Sequence, residues 1–214
     1  MFDTALRRLI DPTLDRVGAM LARRGVPADA VTLSGLIAGL GAALAVACGL
    51  FLLAFALMVI NRALDGLDGA IARSAGRTDA GGFLDIMCDF IFYGSLPIGF
   101  AIAVPAENAL PAAVLLLSFY INGSAFLAFA TLVAKSPHHE HAPANKAFHY
   151  LWGLAEGTET IVVFSAMTLV PTSFPVLAWG FAAVCLISGV LRIVHGYRVA
   201  RVASQSQPSN DGKM

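Results

Sequence analysis

The stretch DGLDGAIARSAGRTDAGGFLDIMCD, residues 65–89, sets four aspartates into segments that are otherwise apolar. Asp65 and Asp68 are three residues apart and Asp85 and Asp89 four apart, so in helices each pair shares one face. Asp65 stands eight residues before Arg73 and Asp89 eight residues after Gly81. At helical rise that puts both roughly 12 Å from the intervening turn. Two antiparallel helices joined by that short turn therefore bring the pairs face to face at one level.

The rest of the chain says which solvent surrounds these helices. Of its 214 residues 57% are hydrophobic and 13% charged, and the mean hydropathy is +0.74. A soluble domain carries about 25% charged residues, so the composition excludes an ordinary soluble enzyme and points to lipid. Apolar segments run over residues 29–48, 50–72, 82–104, 110–134, 151–170 and 175–197. Each is near the roughly 20 residues that cross a hydrocarbon core. Backbone in lipid must satisfy its own hydrogen bonds, so these segments are expected to be helices. The expected fold class is all-α: an integral membrane bundle of six transmembrane helices.

Basic residues orient it. Arg7, Arg8, Arg16, Arg23 and Arg24 precede the first segment, and Arg62, Arg73 and Arg77 surround the turn between the second and third. Lys135 and Lys146 follow the fourth, and Arg192, Arg198, Arg201 and Lys213 mark the C-terminal end. All fall on one side of a six-span topology, so both termini and the aspartate site are expected in the cytoplasm. The localisation expected is a multi-pass protein of the inner (cytoplasmic) membrane.

Residues 1–28 lack the continuous apolar core of a signal peptide. Leu6, Ile10, Leu14, Val17 and Leu21 instead recur at helical spacing, and Asp11-Pro12 is suited to start a fresh helix. An amphipathic helix at the cytoplasmic face fits this pattern, either lying on lipid or packed against the bundle. The expected organisation is thus this helix over 1–28, a membrane catalytic domain over 29–198 and a disordered tail over 199–214.

An ionisable side chain within a spanning helix costs about 2.5–3.5 kcal/mol on insertion scales, so it commonly marks function. Four converging carboxylates repel one another, and Arg73 alone is insufficient to balance them. Divalent cations are the plausible remedy. An all-oxygen set suits Mg²⁺ or Mn²⁺, and Asp65, Asp68, Asp85 and Asp89 suffice for a two-ion clamp on a phosphoryl group. Gly66, Gly69, Ala72, Gly81 and Gly82 remove bulk around the carboxylates, for close helix packing or for entry of a large ligand such as a nucleotide.

Written as spacing, the stretch is Asp65-x-x-Asp68-Gly69-x-x-Ala72-Arg73, seven residues, then Gly81-x-x-x-Asp85-x-x-x-Asp89. It resembles the signature of the CDP-alcohol phosphatidyltransferase family at every fixed position. The resemblance implies that Asp65, Asp68 and Asp85 ligate metal and that Asp89 is the general base and approaches a second ion. It implies further that Asp68, Gly69, Ala72, Arg73 and Gly81 surround a cytidine diphosphate group. The donor would be CDP-diacylglycerol and the acceptor an alcohol; family members are typically homodimers. No nucleic-acid partner is expected.

Asp29 and Thr32 open the first span. Related enzymes often have Asn-x-x-Thr there, so Asp29 departs from the pattern, and helix capping competes with a nucleotide contact. Arg192 and Arg198, with Lys135 and Arg62 as weaker candidates, are suited to hold an acceptor's phosphate. Pairing of Arg192 with Glu156 or Glu159 is the structural alternative. These basic residues make glycerol 3-phosphate the first acceptor to consider. His138, His139, Glu140 and His141 resemble metal ligands in composition but read as a solvated loop. Cys48, Cys88 and Cys185 form no recognisable metal or disulfide spacing. A small ion-coupled transporter is the competing reading of intramembrane carboxylates. Such sites, however, usually lie between repeated halves near the midplane, whereas these cluster in one hairpin.

Overall fold

The structure is a computed structural model and describes residues 2–134 and 157–205. The described residues form seven helices and no strand: α1 (Phe2–Arg23), α2 (Ala28–Ala47), α3 (Phe51–Ala75), α4 (Asp79–Ala103), α5 (Pro105–Ala134), α6 (Gly157–Leu169) and α7 (Phe174–Gln205). A single 3₁₀ turn, Pro171–Ser173, joins the last two. Four stretches are long and apolar enough to cross a membrane: Ala28–Ala47, Asp79–Ala103, Pro105–Leu132 and Pro171–Arg201. Helix α3 spans 25 residues but carries Arg62, Asp65, Asp68 and Arg73. The described part of α6 has 13 residues, roughly 20 Å of helix, and residues 151–156 of the expected fifth segment lie outside the described residues.

Glycine ends two helices where a side chain would be strained. After α1, Gly25 takes φ 77°, donating to Ala22 O at 3.0 Å, and Val26 donates to Leu21 O at 3.1 Å. After α2, Gly49 takes φ 74°, donating to Val46 O at 2.9 Å, and Leu50 donates to Ala45 O at 2.8 Å. Both are Schellman turns, which satisfy the last carbonyls of a helix and reverse the chain within two residues. The second sets α2 and α3 side by side.

Helix α2 packs on α3 and α4, and α5 packs on α7. Close approach depends on small residues: a Cβ at Gly39 of α2 would lie 2.7 Å from the Phe92 ring of α4. Between the two groups sits an aromatic core. Phe100 of α4 stacks on Phe174 of α7 at 4.3 Å between centroids, and Phe92 meets Phe164 of α6 edge-on at 6.1 Å. Ile37, Leu52 and Val176 point outward at more than 70% exposure. In water such faces would drive association; in a bilayer they are the surface that lipid covers.

Two expectations are corrected here. Helix α1 does not restart at Asp11-Pro12 but runs unbroken from Phe2 to Arg23 with Pro12 inside it. It packs on α3: Gly18 is buried, and a Cβ there would stand 2.6 Å from Ala70 Cβ. The second correction concerns residues 199–205, expected in a disordered tail, which continue α7 to Gln205. Arg198 through Ala203 contains neither glycine nor proline, so nothing local stops the helix there.

Candidate metal centre and active site

Helices α3 and α4 are joined by Gly76, Arg77 and Thr78. Thr78 caps α4, its Oγ1 accepting the Gly81 N–H at 3.0 Å. A cap at that position starts α4 abruptly, which keeps the turn short and brings Asp65 and Asp68 opposite Asp85 and Asp89. One carboxylate oxygen from each of Asp65, Asp68 and Asp85 lies within 4.8 Å of the others. Asp89 opens onto the same cleft, which Thr32, Gly35 and Leu36 of α2 close from the side.

The cation in this cleft is Arg62, one helical turn before Asp65. Its Nη2 donates to Asp89 Oδ1 at 2.9 Å, and its Nη1 reaches Asp65 Oδ2 at 3.4 Å and Tyr93 Oη at 3.3 Å. Nε donates to Asn61 Oδ1 at 2.8 Å, and Asn61 Nδ2 in turn donates to the Gly35 carbonyl of α2 at 2.8 Å. The guanidinium lies 4.9 Å from the Phe92 ring centre and 5.6 Å from that of Tyr93. Arg73 pairs with Asp15 of α1, with Nη2 and Oδ1 2.7 Å apart. The sequence signal for Arg62 was its i,i+3 spacing to Asp65, which places both on one face.

The donor set fits a divalent ion. Asp68 is 5% exposed, and its Oδ2 is buried without a hydrogen-bond partner. Such an oxygen costs free energy unless something positive reaches it. One guanidinium against four carboxylates leaves excess negative charge. An all-carboxylate cluster of this size accepts Mg²⁺ or Mn²⁺, hard cations that take oxygen ligands.

The surrounding motif residues separate by role. Gly66 serves packing, since a Cβ there would meet Leu14 of α1 at 2.8 Å. Among the described residues Gly82 faces open space, and Arg73 Nη1 is the nearest neighbour of Gly69, 3.4 Å from where its Cβ would be. Gly81 is hemmed by Thr78 Oγ1 at 3.0 Å and Asp29 Oδ1 at 3.3 Å from where its Cβ would be. Ala72, half-buried, lies one residue before Arg73 on α3. Asp29 is not the cap of α2: Pro27 holds that position, without a side-chain bond, and Asp29 sits in the first turn beside Gly81. Thr32 donates to Ala28 O at 3.1 Å and faces the cleft.

Two further acceptor candidates stand on α7. Arg192 of α7 lies over Phe126 of α5, 5.6 Å from the ring centre, and Arg198 is exposed on the same helix. Neither is among the residues that line the aspartate cleft. Lys135, Glu156 and residues 138–141 lie outside the described residues.

Comparison with known proteins gives consistent relatives. The sequence model of CDP-alcohol phosphatidyltransferase matches residues 25–191. The inner membrane protein YnjF of Escherichia coli (strain K12) is 45% identical over 197 residues, covering 92% of this chain and 96% of that protein. An archaetidylinositol phosphate synthase of Methanothermobacter thermautotrophicus is 37% identical over 99 residues, 46% of this chain and 47% of its own length. Among solved structures, the phosphatidylinositol phosphate synthase PgsA1 of Mycobacterium tuberculosis superposes with a TM-score of 0.66. That form has CDP-DAG bound; it is 21% identical, with 94% of this chain and 98% of that one covered. Its complex with manganese and citrate gives 0.64 at the same identity, over 94% and 93% of the two chains.

Proposed function

The chain belongs to the CDP-alcohol phosphatidyltransferase family, and from that premise we propose that it transfers a phosphatidyl group from CDP-diacylglycerol to an acceptor alcohol in phospholipid biosynthesis, releasing CMP. The observation that carries this reading is the convergence of Asp65, Asp68 and Asp85 around the orphaned Asp68 Oδ2. A centre of Mg²⁺ or Mn²⁺, two ions during turnover, would be held by Asp65, Asp68, Asp85 and Asp89. When bound, it neutralises charge on the pyrophosphate and on the departing oxygen.

The chain's own residues do the rest. Arg62 holds Asp89 Oδ1, so Asp89 Oδ2 takes the proton from the acceptor hydroxyl. The acceptor's own oxygen forms a bond to the phosphorus carrying the diacylglycerol, the pyrophosphate P–O bond breaks, and CMP departs. Asp68, Gly69, Ala72, Arg73, Gly81, Asp29 and Thr32 surround the nucleotide, with Gly82 leaving it space.

Arg192, Arg198 and Lys135 are assigned to a phosphate on the acceptor, with glycerol 3-phosphate as the first choice. The archaetidylinositol phosphate synthases among the relatives favour inositol phosphate as a second. The membrane unit is taken as six spans with both termini and the site cytoplasmic, in the inner membrane, as a homodimer. Its N-terminal helix lies at the cytoplasmic face and rests on α3.

The test is CMP release from CDP-diacylglycerol by purified protein with Mn²⁺ and a panel of acceptors, with lipid products identified by mass. Release that needs Mn²⁺ and one phosphate-bearing alcohol is expected. No CMP with any acceptor sinks the proposal.

A further inference from the structure

The Arg62 guanidinium is held more completely than a counter-charge requires. Its three nitrogens reach Asn61, Asp65, Tyr93 and Asp89, and two aromatic rings flank it. The residue at its root, Asn61, is 3% exposed and fixed from α2 through the Gly35 carbonyl. A charged fork with so many partners is costly to dislodge, because displacement would strip a half-buried cation of them.

Its position divides the cleft. Asp65, Asp68 and Asp85 converge on one another, whereas Asp89 is joined to Asp65 through the guanidinium. An ion placed between Asp65 and Asp89 would stand against that positive charge. We propose that Arg62 is a positioning residue that keeps this edge closed to metal. The protein alone then binds one divalent ion, at Asp65, Asp68 and Asp85, and admits a second only together with a nucleoside diphosphate. With Arg62 on the Asp65 and Asp89 oxygens, the pyrophosphate supplies the further oxygens and negative charge that a second ion needs. This inference rests on the metal centre proposed above and orders how it fills.

The experiment counts ions. Full-length protein in detergent is titrated with Mn²⁺, and free ion is read by electron paramagnetic resonance, with and without CDP. Wild type should bind one Mn²⁺ per chain without nucleotide and two with CDP. Arg62→Met and Arg62→Gln should each bind two without nucleotide and show a spin-coupled Mn²⁺ pair. Two ions on nucleotide-free wild type, or one ion on both folded variants, overturns the proposal. The wild-type count decides alone if the variants aggregate. Absence of Mn²⁺ binding under every condition removes the metal centre itself, and the inference with it.

Discussion

Asp15 of α1 receives both Nε and Nη2 of Arg73 from α3 on a single oxygen, at 3.1 and 2.7 Å. The pair joins the N-terminal helix to the last residue of the first half-motif. Asp15 is 52% and Arg73 36% exposed, so the bond contributes at most about 1 kcal/mol. Asp15→Asn is therefore expected to lower the Tm by no more than about 2–4 °C. Arg73→Ala should in addition raise the KM for CDP-diacylglycerol roughly tenfold, the loss of a charge-assisted contact. Equal KM effects in the two variants would assign the defect to the helix pair rather than to the nucleotide.

Asp89→Asn preserves shape and removes the base. Turnover should fall about 10²–10⁴-fold, while Mn²⁺ still binds at Asp65, Asp68 and Asp85. A variant with near-normal kcat takes Asp89 out of the proton transfer.

Asp68→Ala removes the one carboxylate oxygen that, among the described residues, is buried and unpartnered. Activity and high-affinity Mn²⁺ binding should be lost together, with slight recovery at excess metal. Wild-type activity that survives exhaustive chelation is the result that contradicts the metal role.

Gly18→Val tests the seat of α1. A Cβ at Gly18 would lie 2.6 Å from Ala70 Cβ and 2.7 Å from the Ala70 carbonyl carbon, and backbone cannot step aside cheaply. The overpacking should cost about 1–3 kcal/mol and expose residues 1–25 to limited proteolysis. Unchanged protease resistance would mean that α1 and α3 are not in contact.

Arg192→Ala separates acceptor binding from helix packing. If Arg192 holds the acceptor's phosphate, the acceptor KM rises at least tenfold and that of CDP-diacylglycerol stays level. A lowered Tm with both KM values intact would identify a packing role, through contacts such as that with Phe126.

The aspartate cluster was legible because helix spacing is arithmetic: separations of three and four residues put Asp65 with Asp68, and Asp85 with Asp89, on one face each. Arg62 was harder. Its spacing to Asp65 was visible, but its reach to Asp89 and Tyr93 is a contact between helices, which no pattern along one strand of sequence specifies. The Arg73–Asp15 pair was hidden for the same reason, since nothing near Arg73 in sequence announces Asp15. The continuity of α1 through Pro12 was also hidden. Asp11-Pro12 suits a helix start, and no pattern in the sequence shows that α1 carries Pro12 in its interior. The end of α7 was misplaced because polarity, rather than helix propensity, set the expected boundary.

The seat of α1 bears on where this enzyme can be cut. The match to the family model begins at residue 25, yet Leu14, Asp15 and Gly18 lie upstream of it and touch Gly66, Arg73 and Ala70. A truncation at the family boundary would bare one flank of the helix that carries Asp65 and Asp68. Helix α1 is thus a buttress of the metal-bearing helix, and a protein meant to keep its aspartates in place should keep that buttress.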